Sequence, residues 1–126
     1  MILAALTLVI WNDLGGSVSE RLDQMQALGS THVEIRGNCQ SACTMYLGLP
    51  DVCVAPGAIL GFHGPRTSIP GIPLPRREWD RVTMLMAREY PPQIARWFLK
   101  IARYHISDML MITGREAIRM GARPCD

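Results

Sequence analysis

The fold is decided by the stretch ILAALTLVIWNDLGGSVSERLDQMQALGSTHVEIRG, residues 2–37. Residues 2–11 are almost continuously apolar, which is typical of a strand buried in a parallel sheet. The turn NDLGGS follows, and its paired glycines permit unusual backbone angles. Apolar residues then recur at helical spacing from Val18 to Leu28, and the alternation in HVEIRG predicts a second strand. The stretch therefore indicates a strand–helix–strand unit.

The remaining elements follow from similar signals. Ser17 is expected to cap the first helix and Gly29 to end it. The rest of the chain predicts a turn and short helix in NCQSACTMYLGL, two short strands in VCVAPGAILGFHG interrupted at Pro56-Gly57, helices over 78–89 and 92–104, a short helix between Thr113 and Gly121, and a last strand in ARPCD. This order predicts an α/β fold whose parallel strands are joined by right-handed crossovers.

Length and composition are those of one folded domain. The chain has 126 residues, 48% of them hydrophobic, and a formal net charge of +2. We therefore expect a single globular domain over residues 1–126. Acidic and basic residues are nearly balanced, which argues against nucleic acid as a partner. Residues 65–75 are rich in proline and predict a loop or flap that covers a site.

The apolar N-terminus has three interpretations. A transmembrane helix needs roughly 20 apolar residues, whereas this run ends at Asn12. A secretory signal starts with a basic segment, whereas the first basic residue is Arg21. A buried strand fits best, and since the chain then begins inside a core element, we expect that N-terminal strands upstream of it are missing.

Three chemically interesting groups follow three predicted strands. Gly15-Gly16 come after the first strand, Ser41 after the second and His63 after the third. Binding sites of open α/β sheets lie at the carboxyl ends of the strands. We therefore expect these groups to converge at one edge of the sheet.

Together these groups predict acyl-transfer chemistry. A serine hydroxyl becomes nucleophilic when a base such as histidine accepts its proton. Backbone N–H groups at Gly16 and Ala42 would stabilise the oxyanion of a tetrahedral intermediate. Each group also has a purely structural interpretation, with Ser41 as a helix cap, His63 as a loop or core histidine, and the glycines as a turn.

The four cysteines allow three complete disulfide pairings. Cys39 and Cys43 flank Ser41, and with Cys53 and His63 they offer four ligands for zinc. A zinc site is disfavoured because a structural zinc site needs a second closely spaced pair. A redox dithiol is disfavoured because no C-x-x-C motif occurs. We expect neither metal nor cofactor.

Several motifs resemble a known family in the same order along the chain. NDLGGSVSERLDQMQAL resembles the NSPGGSV turn and helix of the Clp-type proteolytic subunit, a serine peptidase of the ClpP/crotonase superfamily. GNCQSACTMYL resembles that family's G-x-x-x-S nucleophile turn. VCVAPGAILGFHGP resembles the strand pair that ends at the catalytic histidine, and TGREAIRMGARPCD resembles the closing segment. The match extends from about Ile10 to the C-terminus.

The resemblance implies a ClpP/crotonase-like fold of stacked βαβ units with a parallel sheet, and a peptide substrate extended along a strand edge. It implies Ser41 as nucleophile, His63 as base, Asp108 as the third catalytic member, and backbone donors at Gly16 and Ala42. Asp108 is one residue out of register, because ungapped counting from Glu116 reaches Met109. The segments that dock a Clp unfoldase have no counterpart, so no unfoldase partner is inferred.

The C-x-S-A-C pattern resembles an exported bacterial branch of the superfamily, where disulfides are expected. In this fold Cys53 and Cys125 fall on neighbouring strands, which implies a bridge between them. Cys39 and Cys43 would then either pair or pack as small hydrophobic residues around Ser41. An exported or periplasmic location is favoured by this cysteine usage, although no clear signal peptide is present.

The sequence thus predicts a peptidase-like serine hydrolase that acts on a peptide or protein. The alternative is a degenerate ClpP-like binding or scaffold domain. A crotonase-type acyl-CoA enzyme ranks last, because no carboxylate occupies the positions near Gly16 or Ser41 at which those enzymes would use an acidic residue for proton transfer. An aromatic and methionine-rich stripe over 79–98 predicts either core packing, which is favoured, or a homo-oligomer interface.

Overall fold

The chain contains most of the predicted strands and helices in the predicted order, with one additional strand before the last helix. The computed structural model describes residues 6–69 and 71–126, so the first part of the strand predicted over 2–11 lies outside the described residues. In chain order the elements are β1 Thr7–Asp13, α1 Val18–Leu28, β2 His32–Gln40, a 3-10 helix Ser41–Gly48, β3 Val52–Val54, β4 Ile59–Phe62, α2 Arg76–Ala87, α3 Pro92–Lys100, a 3-10 turn Ala102–Tyr104, β5 Leu110–Thr113 and α4 Gly114–Arg119.

The strands form one mixed sheet in the order β1-β2-β4-β5, with β3 beside the first half of β2. β1, β3 and β4 all run parallel to β2, whereas β5 runs antiparallel to β4. The prediction of a parallel sheet is therefore wrong at this edge. Two helices rather than one connect β4 to β5, and the second returns the chain to the edge where β4 ends. Accordingly Leu110, the first residue of β5, pairs with Phe62, the last residue of β4.

The helix that follows β1 has the predicted ends. The Ser17 hydroxyl accepts a hydrogen bond from the Glu20 N–H at 3.3 Å, as an N-cap does. Gly29 takes a φ of +52° at the other end. The pairing of β1 with β2 is irregular beyond Ile10. There a Cβ on Gly37 would lie 2.1 Å from the Trp11 carbonyl oxygen, so only glycine permits this close approach.

The core is formed by the sheet and the 3-10 helix Ser41–Gly48, with contributions from all four α-helices. Phe62 at the end of β4 contacts Tyr90 and Trp97 edge-to-face, with ring centroids 5.4 and 5.1 Å apart. Tyr90 and Phe98 are buried, whereas Met84 is half exposed. Most of the aromatic and methionine stripe therefore packs into the core. No helix among the described residues has the length and apolar character needed to cross a membrane.

The Cys53–Cys125 disulfide is the one expected, and Cys39 and Cys43 adopt the paired one of their two alternatives. Cys53 is bonded to Cys125 and Cys39 to Cys43, so the alternative in which the latter pack as free thiols is wrong. The Cys53–Cys125 bridge holds the C-terminal tail beside β3, where Val54 donates to the Arg123 carbonyl and accepts from Cys125. The last strand predicted in ARPCD is reduced to one parallel bridge at Pro124.

Candidate active site

The structure brings Ser41 and His63 into direct contact. The Ser41 Oγ lies 2.8 Å from Nε2 of His63, although the two residues are 22 positions apart in the sequence. Ser41 directly follows β2 and His63 directly follows β4, and these strands are parallel neighbours. Both residues therefore lie at the carboxyl edge of the sheet, where the distance allows a proton to pass from the hydroxyl to the imidazole.

The hydrogen bonds of His63 define the tautomer that a general base needs. Its Nδ1 lies 2.6 Å from the carbonyl oxygen of Gly64. A carbonyl can only accept, so Nδ1 carries the proton and the lone pair of Nε2 accepts from the Ser41 hydroxyl. Burial lowers the pKa of His63, and the positive charge of Arg66 lowers it further, although the Gly64 hydrogen bond acts in the opposite direction. The imidazole is therefore neutral at neutral pH.

Ser41 has an unusual backbone conformation. Its φ is +56°, the one positive value for a non-glycine residue among the described residues. This left-handed conformation is costly for a serine, and such residues concentrate at functional sites. Buried Thr44 donates to the Ser41 carbonyl at 2.7 Å, and its Oγ1 lies 2.7 Å from the Tyr90 hydroxyl. Since the Thr44 proton is used on Ser41, Tyr90 is the donor in the second bond.

The Gly15-Gly16 turn packs against Ser41. A Cβ on Gly15 would lie 2.6 Å from the Ser41 Cβ and 3.1 Å from the Ala42 nitrogen. Gly15 and Gly16 have φ values of +98° and +143°, and Gly16 faces open space and lines the cleft. The turn and the Ala42 amide are thus adjacent to Ser41, as the expected pair of oxyanion donors would be.

A partly buried ion pair holds this turn in place. Arg21 of α1 contacts Asp13 through two hydrogen bonds of 2.7 and 2.9 Å, and Asp13 accepts from the Gly15 N–H at 2.9 Å. Burial raises the pKa of Asp13, but the hydrogen bonds from Arg21 and Gly15 outweigh it, so its pKa lies below the usual value. The Arg21 guanidinium also stacks over the Tyr46 ring at 4.7 Å. The first helix is thereby fastened to the glycine turn.

Asp108 occupies a different place from the one that the family resemblance implies. Its carboxylate contacts Nδ1 of His105 at 3.0 Å, and its side chain is 67% exposed. The Nδ1 of His63 is occupied by the Gly64 carbonyl instead. Met109, the residue that ungapped counting reaches, lines the cleft. The structure therefore shows a serine–histidine pair that a backbone carbonyl orients.

The pair opens into a cleft of about 500 Å³. The predicted flap, residues 65–75, contributes Pro65, Arg66, Thr67 and Leu74 to its wall. Within the flap the Thr67 N–H donates to the Ile72 carbonyl at 3.1 Å, while Pro70 lies outside the described residues. Another part of the wall comes from α2 and combines charged with apolar side chains. Its cleft-lining residues are Glu78, Arg81, Val82, Leu85 and Met86.

The cysteines are not metal ligands in this structure. All four sulfurs are in disulfides, and zinc requires the free thiolate. His32, Glu34 and Cys53 lie close together away from the cleft. The two nitrogens of His32 contact the carboxylates of Asp51 and Glu34 at 3.0 and 2.9 Å, and these contacts raise the pKa of His32. The cluster is thus a network of ion pairs.

The sequence patterns do not predict the groups that support the Ser41–His63 pair. The Gly64 carbonyl leaves no mark in a sequence, because every residue has a carbonyl. Thr44 and Tyr90 are 46 positions apart, and no local pattern links them. Asp13 and Arg21 are closer, at 8 positions, and a carboxylate before a glycine turn with an arginine on the next helix is a signal that inspection of the sequence can find.

Comparison with known proteins adds no relative to this description. No family model matches the sequence, and no curated protein matches it. Its function has to be argued from the residues and their geometry.

Proposed function

We propose that this chain is a serine hydrolase of the ClpP/crotonase-like type that cleaves peptide substrates with Ser41 and His63. The observation that carries the proposal is the 2.8 Å contact between the Ser41 Oγ and the Nε2 of a neutral, buried histidine. The positive φ of Ser41 and the adjacent glycine turn support it, because these are the conditions of an exposed nucleophile beside backbone donors.

The mechanism uses groups that are already in place. His63 Nε2 accepts the Ser41 proton as the Oγ attacks the carbonyl carbon, and the backbone N–H groups of Gly16 and Ala42 stabilise the oxyanion. The imidazolium then donates its Nε2 proton to the leaving group, which leaves an acyl-serine. A water molecule, deprotonated by the same nitrogen, hydrolyses the acyl-serine and regenerates both residues.

The Gly64 carbonyl takes the role that a carboxylate has in a triad. It accepts from Nδ1–H in every step, which keeps the ring oriented and the correct nitrogen free. A neutral carbonyl stabilises the imidazolium less than a carboxylate does, so we expect slower turnover than in a complete triad. Asp108→Asn should accordingly change the rate by less than about twofold, whereas loss of tautomer control in a true triad costs about 10⁴-fold.

The cleft favours an extended substrate with apolar side chains. Leu74, Val82 and Met109 line the cleft and offer apolar contacts to a substrate. The two disulfides fit a protein that works in an oxidising compartment, so we infer an exported protein.

We also propose that the protein forms oligomers. The side chains of Trp11, in the edge strand β1, and of Leu6, directly before it, are exposed and apolar and could contact another copy of the chain.

A second candidate function is a binding domain that retains the cleft without catalysis. The observation in its favour is the position of Asp108, which pairs with His105. His63 therefore has a backbone carbonyl and no carboxylate on its Nδ1. Such a domain would bind peptides in the cleft, and its affinity would not depend on the Ser41 hydroxyl.

Covalent labelling separates the two functions. The oxidised protein should react with a fluorophosphonate at Ser41, identified by peptide mass spectrometry, and hydrolyse short peptide or ester substrates. Ser41→Ala should abolish both, and His63→Ala should slow labelling by about 10²-fold or more, because it removes the general base. Ser30→Ala, an exposed serine outside the cleft, serves as the matched control and should behave like wild type. Absence of labelling together with unchanged peptide binding by Ser41→Ala would establish the binding domain.

A further inference from the structure

The Cys39–Cys43 disulfide encloses Ser41 in a small covalent ring. The two Cα atoms are 5.3 Å apart, whereas four residues of extended chain would separate them by roughly 13 Å. The chain must therefore turn sharply between the cysteines, and Ser41 at the centre of the turn has the left-handed φ of +56°. The ring also contains Ala42, whose amide is a candidate oxyanion donor.

Both ends of the ring are anchored in the core. Cys39 belongs to β2, where it pairs with Asp13 of β1 on one side and with Leu60 of β4 on the other. Cys43 lies in the 3-10 helix, and both cysteine residues are fully buried. A bond between two such fixed points holds the segment between them relative to the sheet, and β4 leads directly to His63.

The other restraints on the turn are non-covalent, namely the packing of Gly15 against Ser41 and hydrogen bonds. The hydrogen bond from Thr44 to the Ser41 carbonyl spans the same segment. A single hydrogen bond, however, maintains an unfavourable backbone conformation far less firmly than a covalent bond does. Without the disulfide, the serine would be free to relax toward negative φ. Its Oγ would then move away from Nε2 of His63.

We propose that Cys39 and Cys43 are positioning residues, and that their disulfide holds Ser41 in the conformation that faces His63. The proposal rests on the proposed hydrolase function of the same pair. Its consequence is that the site is assembled only in the oxidised protein. A dithiol would disassemble it by thiol–disulfide exchange: one thiolate attacks a cysteine sulfur, the second displaces the mixed disulfide, and the products are two cysteine thiols and the cyclised, oxidised reductant.

The test compares two double variants in the otherwise oxidised protein. Cys39→Ala/Cys43→Ala should lower the fluorophosphonate labelling rate of Ser41 by about tenfold or more, because a displacement of ~1 Å in a reacting group costs about a hundredfold. Cys53→Ala/Cys125→Ala removes the other disulfide, which lies away from the cleft, and should label at the wild-type rate. Thiol titration of the first variant should find no free thiol, which verifies that the remaining bridge has formed. Equal labelling of the first variant and wild type would overturn the proposal.

A second measurement is independent of catalysis. The NMR resonances of the Ala42 amide and of the His63 imidazole should shift in Cys39→Ala/Cys43→Ala and remain in place in Cys53→Ala/Cys125→Ala. If wild type is not labelled at all, the hydrolase proposal fails, and these resonances still decide whether the disulfide positions Ser41. Unchanged Ala42 and His63 resonances in the first variant would overturn the positioning role.

Discussion

At the scale of single residues, the protonation of His63 controls the proposed reaction. Burial is the main cause that lowers its pKa below 6.5, and Arg66 adds to it. The active form is the neutral imidazole, so labelling should rise with pH through a midpoint below 6.5 and then level off. The free energy of unfolding should also rise with pH, because the unfolded chain binds the His63 proton more readily than the folded chain does. This contribution is fully present above the unfolded pKa of His63 and is lost as pH falls through its lower folded pKa.

Replacement of Arg66 tests this explanation. Arg66→Gln removes the positive charge, so the midpoint of the labelling profile should move upward. Arg81→Gln, which alters a cleft-lining arginine paired with Glu78, is the comparison and should leave the midpoint in place. A midpoint well above 7 in the wild-type protein would contradict the buried, neutral histidine.

The hydroxyl of Tyr90 is a second residue-scale feature. Burial raises the pKa of Tyr90, so its hydroxyl stays protonated and donates to Thr44 over the whole neutral range. Tyr90→Phe should lower the free energy of unfolding by about 1 kcal/mol, the usual worth of one such bond. Thr44→Val should lower the free energy of unfolding by a similar amount. It should also slow the labelling of Ser41, because it removes the donor to the Ser41 carbonyl. Urea unfolding and labelling rates measure the two effects, and equal labelling of both variants would show that this carbonyl bond is dispensable.

At the scale of elements, the glycine turn between β1 and α1 approaches Ser41 closely. Gly15→Ala would place a methyl group 2.6 Å from the Ser41 Cβ and 2.8 Å from the Gln40 carbonyl oxygen, in a backbone with φ of +98°. We expect loss of Ser41 labelling and a fall of about 1–3 kcal/mol in the free energy of unfolding. Gly57→Ala, where the added methyl meets no atom within 4 Å, is the control. Wild-type labelling of Gly15→Ala would refute the role of the turn.

At the scale of the whole molecule, the two disulfides should act differently. The Cys53–Cys125 bridge spans 72 positions and the Cys39–Cys43 bridge spans 4. In the chain-entropy model the longer loop stabilises the fold by about 4 kcal/mol and the shorter one by about 2 kcal/mol. Thermal and urea unfolding should show a larger loss of stability for Cys53→Ala/Cys125→Ala than for Cys39→Ala/Cys43→Ala. A larger loss for Cys39 and Cys43 would indicate that the short bridge supports the core as well as the site.

Much of the fold follows from local patterns. Ser17 and Gly29 mark the ends of α1 because capping is a short-range interaction. Pro56-Gly57 separates β3 from β4 because a proline–glycine turn is likewise set by residues that are neighbours in the chain. The strand β5 was not predicted, because the four residues from Leu110 to Thr113 are too few to display a period and its direction depends on the path of α2 and α3. The proximity of Ser41 and His63 is predictable from strand order, which brings both residues to one edge of the sheet.

By itself, the sequence determined which groups stand after which strand, and therefore that a serine, a histidine and a glycine turn share one edge of a sheet. The tertiary structure alone decided what each group contacts. It placed the Gly64 carbonyl on His63 and Asp108 on His105, and it joined Cys39 to Cys43 around Ser41. The physical reason is range: strand order and capping depend on neighbours in the chain, whereas a hydrogen bond depends on ångström-scale positions that only the packed molecule defines.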